Sequence, residues 1–134
     1  MEHVAVTVEK SENNYSAYIE TLPGCITTGK SMEEIRVNMY EAVKAHLKIS
    51  HERGDRIPSA FNSGYFFSFR FDAGSLLSYY KDIFTNSALE RMTGINQRQL
   101  QSYASGKCRP LKPQIVKIQN ALHRLGEELL DIKL

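Results

Sequence analysis

The chain has 134 residues, of which 42% are hydrophobic and 24% charged, and its formal net charge is +2 at pH 7. This composition is globular and excludes a disordered chain, while the length allows one ordinary domain or two very small ones. No apolar run reaches membrane-span length, and the N-terminus MEHVAVTVEK lacks a signal-peptide pattern, so we expect a cytoplasmic protein without a membrane partner. Cys25 and Cys108 form neither a metal-ligand spacing nor a disulfide framework.

Three strands are predicted at the start of the chain. Valines at positions 4, 6 and 8 indicate a strand with one buried face, and Tyr15, Ala17 and Ile19 alternate in the same way after a polar turn. Residues 25–28 follow a Pro-Gly turn as a short third strand, which Gly29 is expected to end. Because the turns are short, the three strands should pair as an antiparallel meander.

A helix and a fourth strand follow. Ser31 and Glu34 form a capping box, in which each side chain accepts a hydrogen bond from the backbone N–H of the other residue. The helix should end near Gly54, and the alternation from Tyr65 to Phe71 predicts a hydrophobic strand. The order is then β-β-β-α-β, with one helix on one face of the sheet. The apolar stripe of that helix comprises Ile35, Met39, Ala42, Val43, His46 and Leu47.

The same order resembles the core of RNase H-like nucleases, which cluster carboxylates around divalent metal ions. The first strand has no carboxylate in its interior, and Glu9 and Glu20 lie at strand ends. The histidines show no ligand spacing, and no nucleophile lies beside a base. We therefore predict no catalytic residue, no metal site and no cofactor. An active metal-dependent nuclease that uses Glu9 or Glu20 is the weakest alternative.

Residues 20–35, ETLPGCITTGKSMEEI, run into NMYEAVKAHL and resemble the HicB family of antitoxins. The shared features are the β-β-β-α-β order, a Leu-Pro-Gly-Cys turn before a short strand, and a Ser/Thr-x-x-Glu helix start. The resemblance implies a degenerate RNase H-like domain without nuclease activity that binds and blocks a HicA toxin. HicA toxins are small ribonucleases that cut messenger RNA. The resemblance assigns no toxin-contacting residue here.

Helices are predicted throughout the second half of the chain. Residues 76–84 show one apolar face, and Asn86 or Ser87 is expected to cap the next helix, 88–93. Gly94 should form a turn with positive φ, Ile95 should anchor that turn, and Asn96 should cap a further helix. Pro113 opens a long last helix that Gly126 is expected to interrupt, and this apolar helix, Ile115 to Leu134, is the predicted dimer contact. The alternative is that these leucines fold back onto their own domain.

On the helix after Asn96, Leu100 and either Tyr103 or Ala104 should face the core, while Gln97, Arg98 and Gln101 face outward. Glutamine can read the edge of adenine, and arginine that of guanine. Residues 91–124 contain no acid, and residues 71–134 carry nine Lys/Arg against six Asp/Glu. Such a stretch attracts phosphate regardless of sequence.

The pattern from Leu89 through TGIN at 93–96 to SGKxxP at 105–110 resembles the Xre/Cro-type helix-turn-helix family. The resemblance implies that Asn86 contacts phosphate and that Gln97, Arg98 and Gln101 read bases. Ser102, Lys107 and Arg109 would make supporting contacts. Glu90 departs from the pattern, since alanine is usual there. The alternative is a helical bundle that serves only for oligomerisation.

Together these patterns predict an α+β protein, and the two resemblances imply a degenerate RNase H-like domain at 1–71 and an all-α helix-turn-helix domain at 72–134. We expect a non-enzymatic antitoxin that neutralises a HicA-like toxin and represses its own operon. Its partners would be that toxin, double-stranded operator DNA, and its own copies in a homodimer or higher homo-oligomer. The alternative is a stand-alone transcriptional regulator whose N-terminal domain senses a ligand or protein.

Overall fold

The computed structural model describes residues 1–134 and shows a mixed α+β chain with one four-stranded sheet and five α-helices. The chain divides into two compact units, Met1–Phe71 and Asp72–Leu134. The strands are β1 Glu2–Lys10, β2 Tyr15–Tyr18, β3 Ile26–Gly29 and β4 Tyr65–Phe71. The helices are α1 Met32–Arg53, α2 Ala73–Tyr79, α3 Asn86–Thr93, α4 Gln97–Ser105 and α5 Lys112–Asp131. No helix is both long and apolar enough to cross a bilayer.

The sheet of the N-terminal unit has the strand order β3-β2-β1-β4. The predicted meander is confirmed, because β1 pairs antiparallel with β2, and β2 with β3. Strand β4 returns parallel to β1, with Val4 opposite Phe67 and Val6 opposite Phe69. Gly29 ends β3 as predicted: it is the last residue of the strand and pairs with Tyr15.

Helix α1 covers one face of this sheet. Its fully buried residues Ile35, Met39 and Val43 pack in one cluster with the inward valines of β1. Ser31 caps the helix as predicted, accepting from the Glu34 N–H at 3.1 Å, but the Glu34 carboxylate accepts from the Lys30 N–H. The helix ends at Gly54, whose φ of +71° suits glycine because it lacks a Cβ.

The second unit contains α2 to α5 around a small core. That core consists of Leu77, Leu89, Ile95, Leu100, Tyr103 and Ile118. Tyr103 is the inward residue, at 3% exposure, whereas Ala104 is half-buried. At Gly74, a Cβ would lie 2.6 Å from the Tyr103 carbonyl oxygen, so only glycine lets α2 approach α4 this closely.

Three local predictions for this unit were wrong. Helix α2 ends at Tyr79 rather than continuing to 84, and Ile83 is 70% exposed. Thr85, not Asn86 or Ser87, caps α3, because its hydroxyl accepts from the Ala88 N–H at 3.0 Å. Gly126 does not interrupt α5, which runs unbroken to Asp131.

Candidate functional site

Helices α3 and α4 are joined by a short turn whose geometry comes from three consecutive residues. Gly94 has a φ of +77°, and its N–H donates to the Glu90 carbonyl at 2.8 Å. Ile95 is 2% exposed and anchors the turn in the core. Asn96 caps α4 by accepting from the Arg98 N–H at 2.8 Å. The turn, anchor and cap agree with the sequence-based predictions for these positions.

Glu90 forms a second contact at the start of α4. One carboxylate oxygen accepts from the Gln97 backbone N–H at 3.1 Å, and the other accepts from the Gln97 Nε2 at 3.3 Å. The first N–H groups of a helix have no partner within the helix, and a negative charge there is favourable. Glu90, which stands where the family pattern usually has alanine, therefore links α3 to α4 instead of disturbing their packing.

Three of the predicted contact residues lie on the exposed side of α4: Gln97, Arg98 and Gln101. Gln101 is held from α3, because the Asn86 Nδ2 donates to its side-chain oxygen at 3.0 Å. The half-buried Ser102 donates its hydroxyl to the Arg98 carbonyl at 3.0 Å. Gln97 and Gln101 are thus both oriented by side chains of α3.

The two remaining predicted residues, Lys107 and Arg109, lie in the loop after α4. Gly106 ends α4 with a φ of +81°, and the Cys108 N–H donates to the Ser102 carbonyl at 3.3 Å. Lys107 and Arg109 are both exposed. The structure therefore places the predicted residues on α3, on the outer side of α4 and in the loop that follows it.

Sequence reasoning missed the roles of two residues in this region. Thr85 directly precedes α3, and threonine is a preferred residue for capping the start of a helix. The sequence alone could therefore have indicated this cap. Glu90 was noted only as a departure from the family pattern. Its position seven residues before Gln97 is not a recognised pairing signal, so that contact requires the structure.

Burial raises the pKa of the Tyr103 phenol, with a smaller contribution from Cys108, so this hydroxyl stays neutral at physiological pH. Burial likewise raises the pKa of the Cys25 thiol in the N-terminal unit. These two groups belong to the cores of the two units rather than to a reactive site. No group of three or more His, Cys, Asp or Glu residues could hold a metal ion.

The N-terminal unit has a cleft of 380 Å³. Its polar lining includes His3, Thr7, Glu20, Ser59 and Arg70. The His3 and Phe66 rings contact each other on the face of the sheet opposite α1, with their centroids 3.9 Å apart. Hydroxyl, carboxylate and guanidinium groups therefore line one opening in the N-terminal unit.

Helix α5 exposes apolar residues near both of its ends: Ile115 and Val116 near the start, Leu129 and Leu130 near the end. Ile118 and Ala121 are buried in the helical unit, but the residues beyond them are not. Exposure reaches 57% at Leu129, 78% at Leu130 and 54% at Ile132. Within this chain, the C-terminal leucines do not fold back onto their own unit.

Residues 4–65 match the family model described as the HicB-like antitoxin of bacterial toxin-antitoxin systems. A UPF0150 protein of Thermoplasma acidophilum is 28% identical over 58 residues, which cover 43% of this chain and 84% of that protein. A UPF0150 protein of Helicobacter pylori is 41% identical over 44 residues, which cover 33% of this chain and 61% of that protein. The N-terminal unit is thus similar to HicB-like antitoxins, which indicates a role in a toxin–antitoxin system.

Proposed function

We propose that this protein is an antitoxin that binds and neutralises a HicA-like, mRNA-cleaving toxin and represses its own operon. The match of residues 4–65 to the HicB-like antitoxin family carries the first part of this proposal. The four-stranded sheet with one helix on one face fits the degenerate RNase H-like domain of that family. A non-enzymatic role fits the carboxylate-free interior of β1.

The second part of the proposal assigns operator binding to α3 and α4 as an Xre/Cro-type helix-turn-helix. In such units the second helix enters the major groove and presents its outer residues to base edges. Arg98 is exposed on that helix and would bind guanine through two hydrogen bonds. Gln97 and Gln101 flank it and would bind adenine.

Phosphate contacts come from residues around this face. Lys107 and Arg109 project from the exposed loop after α4, where a cation can lie beside the DNA backbone. Asn86 at the start of α3 and Ser102 on α4 supply neutral hydrogen-bonding groups. Glu90 is the one acid of α3 and α4, and its carboxylate is engaged by Gln97, which limits its repulsion of phosphate.

A homodimer follows from the way such repressors read two half-sites. Along α5, apolar residues recur at spacings of three and four: Ile115, Ile118, Leu122, Leu125 and Leu129. This is the heptad spacing of helices that pack in pairs. Because Leu129 and its neighbour Leu130 are exposed, we assign the dimer contact to the C-terminal half of α5.

Co-expression with a HicA-like toxin tests the first part, and DNA binding by the purified chain tests the second. The chain should restore growth, co-purify with the toxin and shift its own promoter fragment. Arg98→Ala should weaken the promoter shift but keep the rescue, because toxin binding is assigned to the other unit. A chain that neither binds such a toxin nor restores growth is not an antitoxin.

A stand-alone regulator is the second candidate, and the cleft of 380 Å³ favours it, because small-molecule sites have volumes of this order. In that case a small polar ligand would bind at Arg70 and Glu20. Calorimetry with metabolite mixtures would detect it, and promoter binding would change with the ligand. Toxin rescue would be absent.

A further inference from the structure

Strand β4 forms one edge of the sheet, since its only neighbour in the sheet order is β1. Its sequence, YFFSFRF, contains no proline and a single charge, Arg70. Proteins keep such edges from pairing with other chains by means of charges, prolines, bulges or a covering segment. Of these devices, the sequence of β4 has no proline and one charge, so this edge is open to pairing with another strand.

The backbone of β4 offers hydrogen-bonding groups along this edge. The Glu2 N–H donates to the Gly64 carbonyl at 3.1 Å, while Glu2 lies opposite Tyr65. In a parallel ladder each residue bonds to the neighbours of its opposite residue, and the direction of the bonds alternates along the strand. Gly64, Phe66, Ser68 and Arg70 therefore point their backbone groups at β1. The residues between them, such as Phe67 and Phe69, point theirs at the free edge.

The two faces of β4 differ in chemistry. Phe67 and Phe69 lie on the α1 side of the sheet and are half-buried. The ring centroids of Phe67 and Tyr40 are 4.2 Å apart, and the guanidinium carbon of Arg36 lies 5.5 Å from the centroid of the Phe69 ring. Ser68 and Arg70 are exposed on the opposite face, beside the half-buried Phe66. A strand added at this edge would extend the aromatic row on one face and meet Phe66, Ser68 and Arg70 on the other.

We propose that β4 pairs antiparallel with β4 of a second copy of this chain, around a two-fold axis between the two Ser68 residues. Phe67 of one copy then lies opposite Phe69 of the other, as a hydrogen-bonded pair whose backbone groups face each other. Phe66 lies opposite Arg70 of the second copy, where the guanidinium can cover the ring. The result is one continuous sheet across both copies.

The self-complementary sequence of β4 argues for a second copy rather than another strand. Side chains come closest in non-hydrogen-bonded pairs, and the small Ser68 occupies the central one. A register shifted by two residues would separate Phe66 from Arg70 and shorten the paired segment. This contact is in the N-terminal unit, so it is independent of α5 and of the proposed function.

Cysteine cross-linking of the full chain tests the register. In a Cys108→Ser background, Ser68→Cys should form a disulfide-linked dimer under mild oxidation with diamide. Opposed Cα atoms in such a pair lie about 4.5 Å apart, within disulfide range.

Ala5→Cys is the matched control, exposed on the same face of the sheet, on β1 opposite Ser68. In the proposed dimer, the two cysteines at position 5 would lie three strand spacings apart, about 14 Å, which is too far for a disulfide. Equal rates for the two variants, or no dimer from Ser68→Cys, would overturn the proposal.

A charge exchange at Ser68 gives a second readout that does not depend on oxidation. Ser68→Glu and Ser68→Lys each place like charges across the axis, whereas Ser68→Thr is neutral and should associate normally. In an equimolar mixture of the two charged variants, native mass spectrometry should find mixed assemblies above the statistical proportion. A statistical mixture contradicts self-pairing. Loss of toxin binding in Ser68→Glu together with a statistical mixture would assign the edge to the toxin instead.

Discussion

Glu90 on α3 holds Gln97 at the start of α4 through both oxygens of its carboxylate, 3.1 Å from the backbone N–H and 3.3 Å from Nε2. The contact satisfies one of the unpaired N–H groups of α4 and also orients a side chain proposed to read DNA. One acidic residue therefore connects the stability of the helical unit to its proposed recognition surface. Asn86 holds Gln101 in a comparable way.

Replacing Glu90 should destabilise the helical unit and reduce DNA specificity. Glu90→Ala removes a capping acceptor, so we expect a loss of about 1 kcal/mol in the free energy of unfolding, measured in urea. The ratio of operator to random-duplex affinity at fixed salt should also fall, because Gln97 loses its orientation. Glu90→Gln keeps an acceptor, so it should lose less stability and less DNA specificity than Glu90→Ala. Unchanged specificity in Glu90→Ala would mean that Gln97 does not read a base.

Arg98 should determine preference at one base pair. A bidentate guanine contact is worth about 1–3 kcal/mol of discrimination, so Arg98→Ala should weaken operator binding by that amount and accept other bases at that position. Binding to a library of single-base operator variants measures this effect. Lys107→Ala is the comparison. It should weaken binding to all DNA sequences alike and make the affinity less dependent on salt concentration. A uniform loss for Arg98→Ala would place Arg98 on phosphate.

Two glycines should respond in opposite directions to alanine. Gly74→Ala puts a Cβ 2.6 Å from the Tyr103 carbonyl oxygen, so α2 must move away from α4 and the unit should lose stability. Gly126 lies within α5, where a Cβ would meet no atom within 4 Å, and alanine there should stabilise the helix by about 0.5–1 kcal/mol. Thermal unfolding of both variants measures the contrast. A stabilised Gly74→Ala variant would contradict the close approach of α2 to α4.

The two thiols should differ in reactivity. Cys108 is exposed, whereas Cys25 is 3% exposed and burial raises its pKa, so less of its reactive thiolate forms at neutral pH. Native protein should therefore react quickly with Ellman's reagent at one thiol, and denatured protein at both. Cys108→Ser should remove the fast phase. Fast reaction of Cys25 in that variant would show that the core around α1 opens readily.

The strands and most of the caps could be predicted because the signals are local. Alternating valines in β1, Ser31, Gly54, Gly94 and Asn96 each act through neighbours in sequence, and each has its predicted role. The parallel return of β4 beside β1 was not predicted, because it depends on a connection of more than thirty residues. The chain between α2 and α3 was predicted wrongly because the apolar spacing of 76–84 continues past the point where the helix ends.

In the candidate site, too, the features set by local sequence could be predicted and the contacts between helices could not. The exposure of Gln97, Arg98 and Gln101 follows from the inward position of Leu100 and needed only helical periodicity. The contacts from Glu90 and Asn86 join separate helices, and no spacing rule gives them. The orientation of the glutamines is thus a tertiary property.

The central claim, that this chain is an antitoxin, is tested most directly by inducing a HicA-like toxin in growing cells with and without the full chain. We predict that the chain restores growth and stops messenger RNA cleavage, and that Arg98→Ala does so equally well. Continued cleavage at matched expression, with both proteins folded and no complex between them, would contradict the account.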